Sequence, residues 1–225
     1  MKYTADNLLI RPEIVPEDPG LILDITPELA GWDFISFQVR KLEEGGVWSF
    51  DTGNNELALV NLTGRYRVES NRGRWSGIGG RNTVFEGGAH ALYLPRNTEF
   101  SVAAEQAGEF AVAWVPSTQD HDPWLIQPDH VDSGIRGGDN VSRQINDLLP
   151  PGSPVEKLVL VEVYTPSGNW SSYPPHKHDR HIEDEQGNLI EADLEEVYYY
   201  KIDRPEGYAY LHGYQLAPSR GRPSN

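Results

Sequence analysis

The sequence predicts an all-β fold, and three observations point to it. Apolar runs are short, and in several of them apolar and polar residues alternate, as they do on strands with one buried face. Glycine and proline are frequent, at 22 and 17 of 225 residues, and they separate these runs as turns would. Aromatic residues, which are enriched in strands, make up 10% of the chain. Together these features favour an antiparallel sandwich or barrel over a fold that alternates strands and helices.

The first strands are predicted from the alternation in residues 32–42, where Phe34 and Ser36 would share one face and Ile35 and Phe37 the other. Glycine pairs and Gly-Asn-Asn predict the next turns. Further strands are predicted, in chain order, at residues 47–52, at 56–70 with a turn at Thr63 and Gly64, and at 82–86, 90–95, 99–105 and 109–116. Residues 77–82 (GIGGRN) are predicted to form a hairpin turn, because the strand and helix that flank a phosphate-binding loop are missing.

After residue 117 the composition changes to proline, aspartate and glycine. Within this stretch only residues 142–149 (SRQINDLL) favour a helical turn or two, with Asp139 or Asn140 as its cap. A second series of strands is predicted at residues 158–166, 195–202 and 207–215. We therefore predict an N-terminal unit at 1–118, a connector at 119–154 and a C-terminal unit at 155–225.

Composition excludes several classes of function. The formal net charge is −15, from 34 acidic and 19 basic residues, so the long-range field would repel nucleic acids and anionic membranes. The absence of cysteine excludes disulfides and thiolate sites. No apolar stretch has the length of a signal peptide or of a membrane span. We therefore expect a cytoplasmic protein whose partners include neither nucleic acid nor membrane.

The residues that point to chemistry lie between Asn169 and Tyr200. His176 and His178 are two apart, so on an extended segment both imidazoles leave the same face and can bind one ion. Glu195 or Glu196, at the start of the next predicted strand, could supply a carboxylate. Two imidazoles and one carboxylate suit a divalent transition metal such as Zn, Mn or Fe, or else the histidines are simply solvated.

The remaining histidines lack such a context. His90, His121 and His130 occur singly, and structural or solvated roles are expected for them. His181 enters an acidic insert and is expected to be solvated. Lys177, between the paired histidines, is predicted to point away from them and is no catalytic candidate.

Three phrases of the sequence resemble one known family. They are RGGDNVSRQINDLLP, LVLVEVYTPSGNWSSYPPHKHD and LEEVYYYKIDRPEGYAY. They resemble the bicupin family of 5-deoxy-glucuronate isomerase, an inositol-catabolism enzyme related to 5-keto-4-deoxyuronate isomerase. The resemblance extends from near the N-terminus to about Tyr210. It implies tandem cupin β-barrels and a metal-dependent aldose–ketose isomerase that acts on a small anionic sugar acid.

The resemblance also implies a site in the C-terminal barrel, where the family binds one metal through three histidines and a glutamate. His176, His178 and Glu196 match the first three ligands. Tyr198 and Tyr200 would share the face of Glu196, either as pocket residues that bind or protonate the sugar or as filling of the barrel interior. The N-terminal half has no paired histidines, so Glu56 is expected at the surface or in a turn. That half is expected to serve structure and assembly, which allows a homo-oligomer.

The resemblance weakens after residue 210. The fourth ligand is expected in a Gly-Tyr-His-Pro context, which His212 does not match. A chain truncated or frame-shifted there would have an incomplete second barrel with open edges. The alternatives to the isomerase are an inactive or non-catalytic metal-binding cupin, an isomerase of a related uronate, and an iron oxygenase, which shares the two-histidine, one-carboxylate site.

Overall fold

The computed structural model describes residues 4–13, 15–175, 177–178 and 180–212. Nearly all of its regular structure is β, which confirms the predicted class. The strands of these ranges are β1 (Leu21–Ile25), β2 (Ser36–Leu42), β3 (Val47–Asp51), β4 (Asn55–Asn61), β5 (Arg65–Ser70), β6 (Gly73–Gly79), β7 (Ala91–Leu94), β8 (Glu99–Gln106), β9 (Gly108–Pro116), β10 (Trp124–Ile126), β11 (Asp132–Arg136), β12 (Arg143–Leu149), β13 (Leu160–Tyr164), β14 (Ile182–Glu183) and β15 (Leu189–Glu191). Two short helices, α1 (Ala5–Leu8) and α2 (Pro27–Ala30), and 3₁₀ turns at Pro128–His130 and Asp139–Val141 accompany them. No helix in the described ranges has the length and apolarity to cross a bilayer.

Two antiparallel sheets packed face to face form the N-terminal part. The larger sheet has the strand order β1-β2-β9-β4-β7-β10, and the smaller sheet has the order β3-β8-β5-β6. In the middle of the larger sheet, Leu59 of β4 lies opposite Val112 of β9 and Leu92 of β7. Apolar side chains from both sheets fill the space between them, among them Tyr66 and Phe110. This arrangement agrees with the antiparallel sandwich or barrel that the sequence predicts.

The larger sheet is covered on its second face as well. Strand β4 directs Leu57 and Leu59 into the core between the two sheets. It directs Ala58 and Val60 into a second core, to which later parts of the chain contribute Leu148, Leu149 and Leu158. A strand buried on both faces has a continuous apolar run instead of an alternating one, and this explains the sequence LALV in β4.

A three-stranded sheet, ordered β11-β12-β13, follows the sandwich. The helical turn predicted at residues 142–149 is wrong, because these residues form β12 and pair with β11 and β13. The long-range pairing outweighs the weak local preference for helix. The predicted connector at 119–154 thus contains β10, β11 and β12, while the domain boundaries stay a prediction. Val161 and Val163 of β13 are 45% and 37% exposed.

Two further local predictions fail. Residues 82–86 form turns instead of a strand. Residues 77–79 end β6 instead of forming a hairpin turn, and the β5–β6 turn lies at Asn71 and Arg72. Gly79 has a φ of 101°, and a Cβ there would lie 2.4 Å from Asn61 Nδ2. The glycine at this position therefore serves close packing and an unusual backbone conformation.

Candidate metal centre

The structure describes two of the three predicted metal ligands. His176 lies outside the described residues. His178 is half-buried, and its backbone oxygen accepts a hydrogen bond of 3.0 Å from the amide of Leu194. Glu196 follows two residues after Leu194. The histidine segment and the glutamate segment are therefore neighbours, as a shared metal centre requires.

Side chains along residues 195–200 alternate between two faces. Glu195, Val197 and Tyr199 are half-buried, whereas Glu196, Tyr198 and Tyr200 are exposed. This is the division of faces that a period of two predicts. The segment forms no ladder with another described strand, however, so the paired strand predicted at 195–202 is wrong.

The inner face of this segment contacts the larger sheet of the sandwich. The Glu195 carboxylate accepts hydrogen bonds from the backbone amides of Asp33, Phe34 and Ile35, at 2.6, 3.0 and 2.8 Å. Val197 and Tyr199 pack against a core that contains Leu23, Ile25 and Val39. Beyond them, Lys201 Nζ donates to Glu109 of β9 at 2.6 Å.

The outer face carries the predicted site residues. Tyr198 Oη donates a hydrogen bond of 2.9 Å to Glu196 Oε1. The rings of Tyr198 and Tyr200 stack at 5.9 Å with planes inclined by 11°. About half of each side chain is covered, and this partial burial, followed by the negative charge of Glu196, raises the pKa of both tyrosines. Both hydroxyls are protonated at neutral pH, as ordinary tyrosine hydroxyls are, and can donate hydrogen bonds.

The polar residues around the histidine segment have partners of their own. Lys177 forms an ion pair with Glu191 of β15. His181 is exposed and lies 3.0 Å from Glu183 Oε1, in agreement with the expected solvated position. Strands β14 and β15 form a hairpin whose turn is closed by Asp184, which accepts from the amides of Gln186 and Asn188 at 2.9 and 2.8 Å. Residues 182–191 of the acidic insert thus form a largely exposed hairpin.

The donor set fits a divalent transition metal. His178 and Glu196 supply an imidazole and a carboxylate, the ligand types that zinc and similar ions bind. In the part of the chain that the structure describes, no three potential ligand side chains form a cluster. The third predicted ligand, His176, lies outside that part, so the three-ligand site stays a prediction.

One acidic residue that the sequence places at the surface is buried. Glu56 of β4 is 0% exposed, so that prediction is wrong. Its carboxylate accepts hydrogen bonds from Tyr93 Oη at 3.0 Å and from the backbone amides of Glu156, Lys157 and Leu158 at 2.9, 2.7 and 3.0 Å. The signal available in the sequence is its position at the start of a continuous apolar run.

A second polar cluster joins the sandwich to β13 beside a cavity of about 440 Å³. The Arg81 guanidinium is 3% exposed and donates to Glu162 Oε1 and to the Asn61 carbonyl, both at 2.7 Å. Tyr164 Oη donates to the Val84 carbonyl at 2.7 Å and lines the cavity together with Asn146. Sequence patterns did not reveal this cluster, because Glu162 and Tyr164 lie about 80 residues after Arg81 along the chain.

Comparison with known proteins identifies the family to which the chain is similar. A model of the KduI/IolB family matches residues 8–222. A curated 5-deoxy-glucuronate isomerase from Geobacillus kaustophilus (strain HTA426) is 39% identical over 202 residues, which are 89% of this chain and 71% of the relative. The enzyme of that name from Bacillus subtilis (strain 168) is 33% identical over 214 residues, which are 92% of this chain and 76% of the relative.

A solved structure is similar over much of the same region. The crystal structure of an IolB-like protein from Salmonella typhimurium LT2 superposes with a TM-score of 0.71 at 35% identity. The superposition covers 73% of this chain and 63% of that chain. The chain thus spans a little under two thirds of the solved protein. At this identity and TM-score the similarity extends to the fold as well as to the sequence.

Proposed function

The chain belongs to the KduI/IolB family, and on this premise we propose that it is a metal-dependent aldose–ketose isomerase that converts 5-deoxy-D-glucuronate to 5-dehydro-2-deoxy-D-gluconate in myo-inositol catabolism. The observation that carries the proposal is the similarity to curated 5-deoxy-glucuronate isomerases over about nine tenths of the chain, at 89% and 92%. The neighbouring positions of the His178 and Glu196 segments support the site.

The proposed metal ligands are His176, His178 and Glu196. The hydrogen bond from Leu194 to the His178 carbonyl supports this set, because it keeps the two ligand-bearing segments adjacent. A divalent ion bound there would supply Lewis acidity to the oxygens on C1 and C2 of the sugar acid. The residues of the chain then have two tasks, which are to orient the carboxylate of Glu196 and to bind the substrate hydroxyls.

Tyr198 and Tyr200 are proposed to perform those tasks. Tyr198 donates to Glu196 Oε1 at 2.9 Å, so it orients the carboxylate. Tyr200 stacks on Tyr198 and carries a hydroxyl that is protonated at neutral pH, as an ordinary tyrosine hydroxyl is. Such a hydroxyl donates hydrogen bonds to sugar oxygens and is a poor base at neutral pH.

The test is a reaction of the purified full chain with 5-deoxy-glucuronate. The protein is incubated with Zn²⁺, Mn²⁺ or Fe²⁺, and the ketose product is followed by NMR, with a related uronate as the competing substrate. We expect ketose from 5-deoxy-glucuronate, loss of activity after chelation, and recovery when the metal is returned. Faster conversion of the related uronate would reassign the substrate.

Two further measurements separate the isomerase from the other classes. Oxygen uptake with Fe²⁺ and no ketose would favour an iron oxygenase. A chain that purifies without metal, does not take up added metal and forms no ketose would be a non-catalytic cupin. Glu196→Gln should lose both bound metal and activity, whereas Glu105→Gln, on the exposed surface of β8, should keep both.

A further inference from the structure

We infer that Glu195 is a positioning residue that decides which of two adjacent glutamates is presented as the metal ligand. The inference rests on the proposed function, in which Glu196 binds the metal. The two glutamates are chemically identical and consecutive, and their order along the chain does not distinguish them. Their surroundings in the structure do distinguish them.

Glu195 occupies an anion-binding site formed by the backbone. Three successive amides, those of Asp33, Phe34 and Ile35, point at its carboxylate at 2.6 to 3.0 Å. Successive amides that converge in this way form a concave site for a negative group. The loop that carries them is fixed by Trp32, whose indole Nε1 donates to the Ile35 carbonyl at 2.8 Å. The site is built into the sandwich just before β2 begins at Ser36.

The contacts of Glu195 determine where Glu196 points. Side chains of an extended segment alternate, so a segment whose Glu195 side chain faces the sandwich directs Glu196 away from it. Val197 and Tyr199 repeat the inward contact, with the Tyr199 ring 6.1 Å from that of Phe37. The outward face then carries Glu196, with Tyr198 donating to it.

A shift of one residue would exchange the two glutamates. In a segment with a period of two, such a slip moves every side chain to the opposite face. These residues have no strand partner in the described ranges that would fix their register by a ladder. The charge-assisted hydrogen bonds to Glu195 therefore contribute much of the register, since they are stronger than neutral ones.

The experiment compares three variants of the full chain, Glu195→Gln, Glu196→Gln and Glu156→Gln. Glu195→Gln keeps the size of the side chain but replaces one acceptor oxygen by an NH₂ group that faces backbone amides. Glu156→Gln is the matched control, because Glu156 also accepts from backbone amides, those of Thr118 and Gln119 at 2.6 and 3.0 Å, far along the chain from the site. Zn²⁺ affinity is measured by calorimetry, and ligand geometry by the visible absorption of the Co²⁺-loaded protein.

We expect Glu195→Gln to weaken Zn²⁺ binding by roughly 10 to 100-fold, as losses of residues that orient ligands do. Its Co²⁺ spectrum should also change, whereas Glu156→Gln should keep wild-type affinity and spectrum. Wild-type values in Glu195→Gln, together with lost binding in Glu196→Gln, would overturn the inference and leave the proposed function intact. Equal losses in Glu195→Gln and Glu156→Gln would overturn it too, since they would reflect general destabilisation. Unchanged binding in Glu196→Gln would overturn the ligand assignment of the proposed function itself.

Discussion

Glu56 and Lys157 are joined by a hydrogen bond of 2.7 Å from the Lys157 backbone amide to the Glu56 carboxylate, across 101 residues of sequence. The amides on either side of Lys157 donate to the same carboxylate. A fully buried acid in β4 thus binds the segment that leads into β13. The attachment of the later chain to the sandwich depends on this one side chain as well as on apolar packing.

Replacement of Glu56 by alanine should destabilise the protein severely. It would leave the buried Leu158 amide, the buried Tyr93 hydroxyl and two part-buried amides without their acceptor, and each unsatisfied buried donor costs about 1–3 kcal/mol. We expect the free energy of unfolding to fall by roughly 3–5 kcal/mol in urea titrations. The exposed Glu105→Ala in β8 should change it by less than about 0.5 kcal/mol. Similar stabilities of the two variants would contradict this account of Glu56.

The error over Glu56 shows what sequence patterns cannot supply. The strands of the sandwich follow from alternation and turn residues, which are local, and most of them are predicted correctly. The backbone partners of Glu56 lie 100 to 102 residues further along the chain, and no residue near Glu56 in the sequence indicates them. The same limit explains why the prediction for β12 was wrong. Its own residues favour a helical turn, but the strand pairs with β11 and β13.

The two faces of the segment that carries the candidate site could be predicted more easily than the partners of Glu56. The two faces of residues 195–200 follow from a period of two, and the structure confirms the division between Glu195 and Glu196. Which face binds the sandwich could not be predicted, because it depends on the amides of residues 33–35. The role of Tyr198 and Tyr200 as pocket residues stays a prediction.

The ion pair between Arg81 and Glu162 should be strongly coupled. Arg81 is 3% exposed and Glu162 15%, so the removal of either partner leaves a buried charge. We expect Glu162→Gln to cost roughly 3–5 kcal/mol of unfolding free energy. A double-mutant cycle with Arg81→Met should recover a large part of that cost as coupling energy.

The matched control for this cycle is the pair of Arg136 and Asp147, which joins β11 to β12 at 3.1 Å. Its arginine is 58% exposed, so its coupling energy should be about 0–1 kcal/mol. Equal coupling energies for the two pairs would mean that burial does not determine the strength of the Arg81 interaction.

The contribution of Glu156 to stability should depend on pH. Hydrogen bonds from the Ser117 hydroxyl and from the Thr118 and Gln119 amides lower the pKa of Glu156 from its ordinary value of 4.5 to about 2. A lowered pKa means that the folded state binds the ionised form better, so the stabilisation is complete above pH 4.5 and is lost as the pH falls towards 2.

Glu156→Gln isolates this contribution. Urea unfolding of both proteins between pH 6 and about pH 2.5 should give a stability difference that is largest near neutral pH and shrinks in acid. If the stability difference between the two proteins stays constant across this range, the contacts of Ser117 and Thr118 do not stabilise the ionised form of Glu156.

Removal of the Tyr198 hydroxyl should weaken metal binding if Glu196 is a ligand. The hydroxyl donates to Glu196 Oε1 at 2.9 Å and orients the carboxylate, so Tyr198→Phe should lower Zn²⁺ affinity by on the order of tenfold while the fold is kept. Tyr200→Phe is the matched control. The side chains of Tyr198 and Tyr200 lie on the same face and are 48% and 47% exposed, but within the described ranges only Tyr198 is hydrogen-bonded to Glu196. Calorimetry of Zn²⁺ binding to both variants, with circular dichroism to verify folding, checks the expectation. Equal affinities of the two variants would mean that the hydroxyl of Tyr198 does not orient the metal-binding carboxylate.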